Sequence, residues 1–211
     1  MKQRGLFITF EGIDGAGKTT QLELLYRELR LKNFNVIRLR EPGGTTVGER
    51  IRELLADKTQ KVLPYTELLL FFASRVQLLE EVIKPELQNG KIILCDRFHD
   101  ATVAYQGYGR GLNLDTVKML EREFVLPLKP DRTFLLDCTY HVARKRLSTR
   151  GNKTRIEVMD KVFFERVRQG YLSIAKQDKD RVVVIDASNS IDKIKKQIRD
   201  SFYEWVKKFN I

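Results

Sequence analysis

The chain has 211 residues, of which 42% are hydrophobic and 32% are charged, and its formal net charge is +11 at pH 7. This length fits one domain with a substantial core, and this composition excludes an intrinsically disordered chain. The longest uninterrupted apolar run, 68–73, is far too short to cross a bilayer, so we expect no membrane partner.

Apolar runs of strand length alternate with longer helical patterns, which indicates an α/β fold with a parallel sheet. The predicted strands are 6–11, 35–40, 92–96, 133–137 and 182–186, and the predicted helices are 18–31, about 47–55, 65–87, 114–126, 139–149, 160–178 and 191–209. The last three strands are uniformly apolar, which is typical of strands covered on both faces. Proline and glycine are confined to short turns, so residues 1–211 are predicted to form a single domain.

The basic charge is spread from end to end, and its densest cluster, "DKIKKQIRD" (192–200), falls on a helical pattern whose other face is apolar. This distribution favours solvated helix faces with a few phosphate-binding arginines and no nucleic-acid partner; a polyanion-binding surface is the alternative. Cys95 and Cys138 lie in apolar runs and are expected to be reduced core residues of a cytoplasmic protein.

The segment between the first strand and the first helix, 12–19, fits the pattern G-x-x-x-x-G-K-[ST] of a phosphate-binding loop. Its glycines let backbone N–H groups converge on a phosphate, and the following helix presents its positive end to the same anion. Lys18 is expected to bridge the β- and γ-phosphates, and the Thr19 hydroxyl to bind Mg²⁺. The predicted nucleotide-binding residues are Gly12, Ile13, Asp14, Gly15, Ala16, Gly17, Lys18, Thr19 and Thr20.

Two charged residues, Asp96 and Arg97, follow an apolar strand at the edge where open α/β sheets place their ligand crevice. Asp96 is expected to hold Mg²⁺ through water, and Arg97 to direct a bidentate donor into the crevice. A surface ion pair is the alternative interpretation.

The segment "RGNKTRIE" (150–157) joins two predicted helices and has no apolar anchor before Ile156. It is predicted to be a short mobile lid, about 150–158, whose arginines close over a phosphoryl group and exclude water. An ordinary basic loop is the alternative.

Phe71 and Arg75 are four residues apart in "FFASR" and therefore share one face of a predicted helix. An aromatic ring beside a forked donor would suit a flat heterocycle with a carbonyl edge. The stretch "REPGGT" (40–45) forms a sharp turn after the second strand and is hard to explain by packing alone.

Together these segments resemble the bacterial thymidylate kinases of the nucleoside-monophosphate kinase group. The resemblance spans about 5–188 and is carried, in order, by "FEGIDGAGKTTQ", "REPGGT", "FFASR", "DRFHDATVAYQGYGRG", "PDRTFLLD" and the lid with its arginines. It implies a P-loop NTPase fold with a five-stranded parallel sheet flanked by helices. It also implies a homodimer that transfers the γ-phosphoryl group of Mg-ATP to dTMP, giving dTDP.

The resemblance also implies roles for individual residues. The implied catalytic residues are Lys18, Asp96, Arg97, Arg150 and Arg155, with Thr19 and Asp96 at the metal. The implied dTMP-binding residues are Asp14, Glu41, Pro42, Arg52, Phe71, Arg75, Arg97, Thr102, Tyr105 and Gln106. Phe71 would stack on thymine beside Arg75, Thr102 and Gln106 would help to read the base, Asp14 would hold the 3′-hydroxyl, and Tyr105 would fill the space of a ribose 2′-hydroxyl. Arg144 or Arg146 would pack against adenine.

The sequence departs from some relatives at two positions. Gly15 stands where some members carry a catalytic arginine in the loop, so the lid, with Arg150 and Arg155, is implied to supply that charge. Phe98 stands where many members have tyrosine, so no hydroxyl is available there.

Two other functions remain open at this point. Another nucleotide or nucleoside kinase is one, and a nucleoside acceptor would need a carboxylate base such as Asp14 or Glu41. A nucleic-acid-stimulated ATPase is the other, and salt-dependent DNA binding would support it.

Overall fold

The computed structural model describes residues 4–125, 128–148 and 154–207. It contains a parallel five-stranded sheet with the spatial order β2-β3-β1-β4-β5. The strands are β1 (Phe7–Glu11), β2 (Val36–Arg40), β3 (Ile92–Asp96), β4 (Arg132–Asp137) and β5 (Val182–Asp186). Each predicted strand is confirmed to within one residue at its ends.

The helices that flank the sheet follow the predicted order. They are α1 (Lys18–Leu31), α2 (Thr46–Ala56), α3 (Pro64–Leu78), α4 (Lys84–Gln88), α5 (His99–Thr102), α6 (Leu114–Phe124), α7 (Tyr140–Ser148), α8 (Lys161–Gln177) and α9 (Ile191–Val206). A π-helical segment (Leu79–Ile83) joins α3 to α4, so the predicted helix 65–87 is continuous. A second π-helical segment (Val103–Gly109) extends α5, and the sequence patterns did not predict this helix.

Side-chain caps fix where several helices begin. The hydroxyl of Thr45 accepts from the N–H of Gly48 at 2.9 Å at the start of α2, and the carboxylate of Asp160 accepts from the N–H of Phe163 at 2.8 Å at the start of α8. Such caps satisfy N–H groups that the first turn of a helix leaves without partners. No helix within the described ranges is long and apolar enough to cross a membrane.

The central strand β1 is fully buried, but β5 is not. All five residues of β1 are buried, whereas the side chain of Val184 in β5 is 48% exposed. The prediction that 182–186 is covered on both faces is therefore wrong, because Val184 and Asp186, which share one face of this edge strand, are both exposed. Cys95 and Cys138 are buried free thiols, as predicted.

The parallel register brings three strand ends to one edge of the sheet. Asp96 at the end of β3 pairs with Phe10 in β1 and with Arg40 in β2. The phosphate-binding loop, Glu41 and Arg97 each follow one of these strand ends. This arrangement gathers residues far apart in the chain into one crevice, where α/β sheets bind their ligands.

Candidate active site

The loop at 12–19 has the conformation that its glycines permit. Gly12 and Gly15 have positive φ angles of 137° and 87°. A Cβ atom on Gly12 would lie 2.4 Å from the carbonyl oxygen of Leu136, and one on Gly15 would lie 2.4 Å from that of Ala143. Both positions therefore exclude any side chain, so the backbone itself forms the inner surface of the loop.

Two polar side chains at the start of α1 lie beside the phosphate-binding loop. The Lys18 ammonium is buried and donates to the carbonyl oxygen of Ile13 at 3.0 Å. The Thr19 hydroxyl donates to a carboxylate oxygen of Asp96 at 2.5 Å. Burial, together with the positive charge of Arg97, lowers the pKa of Lys18. A phosphate in contact with Lys18 would oppose that shift by stabilising the ammonium form.

The loop opens into a large cavity of about 980 Å³, here called the donor cavity. Loop residues from Asp14 to Thr20 line it, together with Asp96 and Arg97. Arg146 also lines this cavity and donates to the carbonyl oxygen of Ala16 at 3.4 Å. Arg144 donates instead to the carbonyl oxygen of Glu157 at 2.9 Å and does not line the donor cavity. Of the two arginines predicted at adenine, the geometry therefore favours Arg146.

Arg97 lies at the centre of the crevice. Its φ angle is +71°, which is unusual for a residue with a side chain. The guanidinium group donates to Asp14 at 2.8 Å, to the hydroxyl of Tyr105 at 2.9 Å and to that of Tyr171 at 3.0 Å. It also donates to the carbonyl oxygen of Gly12 at 3.1 Å. These four contacts fix the guanidinium group beside the phosphate-binding loop.

Asp14 and Tyr105, which both bind Arg97, are also hydrogen-bonded to each other. The Tyr105 hydroxyl donates to Asp14 at 2.7 Å and accepts from the backbone N–H of Asp14 at 3.1 Å. Burial pushes the pKa of Asp14 upward, but the charges of Arg97 and Lys18 outweigh burial, so the pKa lies below its ordinary value. Asp14 is therefore an ionised acceptor at neutral pH.

A second, smaller cavity of about 160 Å³, here called the acceptor cavity, adjoins the first. It is formed by side chains from the turn after β2, from α2, α3 and α5, from the second π-helical segment and from 154–157. The predicted dTMP-binding residues that line it are Asp14, Glu41, Pro42, Arg52, Phe71, Arg97, Thr102, Tyr105 and Gln106. Arg52 is anchored at its mouth by a 2.9 Å bond to the carbonyl oxygen of Pro42.

Arg75 does not line the acceptor cavity but lies directly behind it. Its side chain is 1% exposed and pairs with Glu41, with Nε 2.6 Å from a carboxylate oxygen. Its Nη2 donates to the hydroxyl of Thr102 at 2.7 Å and to the carbonyl oxygen of Phe98 at 3.3 Å. Among the described residues, its Nη1 has no hydrogen-bond partner. Arg75 thus keeps its buried Nη1 unused beside Thr102, which lines the cavity.

The lid residues are placed only in part. Arg150 lies outside the described residues. Arg155 donates to Glu67 at 2.5 Å and to the carbonyl oxygen of Leu55 at 3.3 Å, so it contacts residues around the acceptor cavity and not the loop. The same Glu67 carboxylate accepts from the amide nitrogen of Gln106 at 2.8 Å and from Arg110 at 3.0 Å. That Arg155 reaches the transferred group, and that the lid is mobile, remain predictions.

Sequence reasoning missed three residues of the site. Glu11 is fully buried at the end of β1, and burial, with the nearby Asp100 carboxylate, raises its pKa to about 8. Tyr171 in α8 donates to Glu11 at 2.8 Å. Glu67 in α3 holds the arginine cluster just described. A charged residue ending an apolar strand could have revealed Glu11, but Tyr171 falls on the apolar face of α8 and resembles a core residue.

The two cavities meet. Residues that line both of them are Asp14, Glu41, Arg52, Arg97 and Glu157. A ligand in each cavity would therefore lie against the same two arginines, Arg52 and Arg97.

Comparison with known proteins then decides the family. A family model described as thymidylate kinase matches residues 10–198. The chain belongs to the thymidylate kinase family. It is 46% identical over 203 residues to the thymidylate kinase of Kosmotoga olearia, covering 96% of this chain and 98% of the relative, and 47% identical over 197 residues to that of Exiguobacterium sp., covering 93% of each.

A solved structure agrees with this family assignment. The crystal structure of thymidylate kinase from Ehrlichia chaffeensis superposes with a TM-score of 0.79 at 37% identity, covering 95% of this chain and 99% of that chain. The match to the thymidylate kinase family includes both cavities, because every residue that lines them lies between positions 10 and 198.

Proposed function

We propose that this protein transfers the γ-phosphoryl group of ATP to dTMP, giving dTDP and ADP. The observation that carries the proposal is that two adjoining cavities, one at a phosphate-binding loop and a smaller one lined by Phe71 and Gln106, share Asp14 and Arg97 in their lining. Membership of the thymidylate kinase family supports the choice of dTMP as the acceptor.

The donor cavity suits the triphosphate of ATP. Its loop offers backbone N–H groups and a helix start to the β-phosphate, and Lys18 lies at the same helix start. Arg146 lines the same cavity, outside the phosphate-binding loop. We therefore assign Gly12 to Thr20 to the phosphates and Arg146 to adenine.

The acceptor cavity suits a thymine nucleotide. Phe71 offers a ring face for stacking. Arg75 is buried and does not line this cavity, so its Nη1 would donate to a carbonyl oxygen of the base only after the side chain moved towards it. Glu67 is ionised, because its arginine partners and Gln106 outweigh the effect of burial and lower its pKa. An ionised carboxylate only accepts, so Gln106 must direct its NH₂ group to Glu67. The amide oxygen is then free to accept from the N3–H of thymine.

The sugar and phosphate of the acceptor would lie at the junction. The ionised Asp14 carboxylate can accept from the 3′-hydroxyl group. Tyr105, held by bonds to Asp14 and Arg97, occupies the space beside it and would exclude a ribose 2′-hydroxyl. Arg97 and Arg52 would bind the acceptor phosphate.

Transfer between two phosphates needs no general base, because the attacking oxygen is already anionic. The task of the protein is then to align the two polyanions and to neutralise their repulsion. We assign this task to Lys18 and Arg97, which both line the donor cavity. For Arg155 to reach the transferred group, its bond to Glu67 must open; Arg150 in the same segment is the other candidate.

The residues present fit a Mg²⁺ ion. The Thr19 hydroxyl and the Asp96 carboxylate bring two hard oxygen donors together beside the donor cavity, and Mg²⁺ usually takes few protein ligands alongside phosphate oxygens. Within the described ranges, no group of three or more acidic, histidine or cysteine residues could hold a metal by itself. When bound, the ion would neutralise charge on the β- and γ-phosphates.

We also propose a cytoplasmic homodimer. Helix α3 exposes Tyr65 and Leu69, which are 51% and 55% exposed and lie on one helical face. Met119 and Phe124 in the neighbouring α6 are 55% and 49% exposed. Analytical ultracentrifugation tests the proposal: we expect a dimer that Leu69→Glu converts to a monomer, and a monomeric wild type would contradict it.

A coupled assay for ADP tests the activity. Purified protein is supplied with ATP, Mg²⁺ and one acceptor from a panel of dTMP, dUMP, dCMP, dAMP, dGMP and thymidine, without DNA. We expect the highest kcat/KM with dTMP. A higher value for another monophosphate would overturn the assignments of Phe71, Arg75 and Gln106, and a higher value for thymidine would indicate a nucleoside kinase.

A further inference from the structure

A fully buried carboxylate, Glu11, lies in the active site and has no part in the mechanism above. It ends β1 and precedes the phosphate-binding loop, yet it does not line either cavity. A buried carboxylate is costly unless several donors serve it. The identity of its donors therefore indicates what the residue does.

Both oxygens of Glu11 accept hydrogen bonds that restrain Arg97. One oxygen accepts from the backbone N–H of Phe98 at 2.6 Å, which fixes the backbone immediately after Arg97. The other accepts from the hydroxyl of Tyr171 at 2.8 Å, and that hydroxyl in turn accepts from Nη1 of Arg97 at 3.0 Å. One carboxylate thus restrains both the backbone and the side chain of the arginine at the junction of the cavities.

The backbone of Arg97 needs such a restraint. Its φ angle of +71° lies in the left-handed region, which costs an ordinary residue about 1–2 kcal/mol. The N–H of Arg97 bonds to the carbonyl oxygen of Phe10 at 3.0 Å, and the N–H of Phe98 bonds to Glu11. Both contacts come from β1, so this strand holds the turn in its strained conformation.

The directions of the hydrogen bonds are consistent along the chain of contacts. Arg97 can only donate, so Tyr171 accepts from it, and the tyrosine directs its own single proton towards Glu11. A phenylalanine at 171 would leave both Glu11 and Arg97 without this partner while removing only one atom. Tyr171 is therefore the most direct point at which to test the connection.

We propose that Glu11 and Tyr171 are positioning residues that hold the Arg97 guanidinium group in the geometry that binds the acceptor phosphate. The inference depends on the proposed function, because it concerns the same phosphoryl transfer. It predicts that loss of the Tyr171 hydroxyl affects the use of dTMP far more than the binding of ATP.

The test compares Tyr171→Phe with Tyr108→Phe. The hydroxyl of Tyr108 also joins the second π-helical segment to α8, through a 3.0 Å bond to Ser173, but it contacts neither Arg97 nor Glu11. For each variant we would measure kcat/KM for dTMP, the affinity for a non-hydrolysable ATP analogue, and Tm. This control accounts for the general cost of losing a tyrosine hydroxyl against α8.

We expect Tyr171→Phe to lower kcat/KM for dTMP by about tenfold or more, as for a lost bond to a charged group. Affinity for the ATP analogue should change by less than about twofold, and Tyr108→Phe should match the wild type in both. Equal effects of the two variants on dTMP, or an equal loss of ATP affinity and dTMP use in Tyr171→Phe, would overturn the inference.

A double-mutant cycle with Glu11→Gln keeps the inference testable if one variant is unstable. If Glu11 acts through Tyr171, the effect of Tyr171→Phe on kcat/KM should be much smaller in the Glu11→Gln background. If the two substitutions instead lower kcat/KM by independent factors that multiply in the double variant, Glu11 does not act through Tyr171. A wild type that does not phosphorylate dTMP would instead overturn the proposed function, so the two failures are distinguishable.

Discussion

The two cavities are built in different ways. The donor cavity centres on one contiguous stretch, 12–20, whose shape depends on glycine backbone. The acceptor cavity is assembled from side chains of several elements, held in place by buried ion pairs such as Glu41–Arg75 and Glu67–Arg155. The shape of the first site is set mainly by the backbone of its own stretch. The second depends on residues that are distant from one another in sequence.

The largest expected effect is at the junction of the cavities. Arg97→Ala should lower kcat/KM for dTMP by about 10³-fold or more, because a cation that clamps a transferred phosphate contributes this much to turnover. Affinity for a non-hydrolysable ATP analogue, measured by calorimetry, should change only a few-fold, because the loop is intact. Equal losses in the two titrations would contradict the assignment of Arg97 to the acceptor phosphate.

The next effect tests whether the acceptor cavity depends on its buried ion pairs. Glu41→Gln leaves the Arg75 guanidinium buried without a counter-charge, so we expect a loss of about 3 kcal/mol in the free energy of unfolding and a raised KM for dTMP. Glu80→Gln is the control, since Glu80 pairs with Lys84 on the surface, where both side chains are more than 40% exposed. Its effect should stay below about 1 kcal/mol. Chemical denaturation that finds equal losses would show that burial is unimportant here.

A smaller effect should be confined to the donor cavity. Gly15→Ala places a Cβ atom 2.4 Å from the carbonyl oxygen of Ala143 and strains a φ angle of +87°. We expect a loss of about tenfold or more in affinity for the ATP analogue, since strain of 1–2 kcal/mol would be relieved by moving the loop. Gly111→Ala is the matched control: its φ is +72°, but a Cβ there would meet nothing within 4 Å. If both variants bind the analogue equally well, the close packing of the loop against Ala143 does not contribute to ATP affinity.

The smallest expected effect is a pH dependence that originates at Glu11. Its pKa is raised from an ordinary value of 4.5 to about 8, mainly by burial, with Asp100 adding to the shift and Arg97 and Tyr171 opposing it. Folding therefore takes up a proton, so this contribution to stability is fully present below about pH 4.5 and is lost as pH rises through about 8. Between about pH 6 and pH 9, the Tm of the wild type should fall by about 2 °C or more relative to Glu11→Gln. Parallel Tm curves for the two proteins would rule out this titration.

The sequence predicted the donor side better than the acceptor side, for a physical reason. The loop and the strands depend on local patterns, so 12–19 and the strand ends could be identified directly. Arg75 shares a helical face with Phe71, as predicted, but its burial against Glu41 depends on how α3 packs against the turn after β2. No local pattern contains that information.

The helix at 99–109 illustrates the same limit. Gly107 and Gly109 lower its intrinsic helix propensity, so it gave no helical signal. In the structure, a Cβ on Gly109 would lie 2.8 Å from Phe163 and Val167 of α8. The glycine permits this close packing, and tertiary contacts with α8 offset the weak propensity. For the same reason, the connection from Glu11 through Tyr171 to Arg97 became visible only in the structure.

The central claim is that the two ligands meet at Arg97, and a crystal structure with dTMP and a non-hydrolysable ATP analogue tests it most directly. We predict an oxygen of the dTMP phosphate within about 3–3.5 Å of the γ-phosphorus, with Arg97 in contact with that phosphate. A dTMP phosphate bound away from both Arg97 and the γ-phosphoryl group would contradict the account.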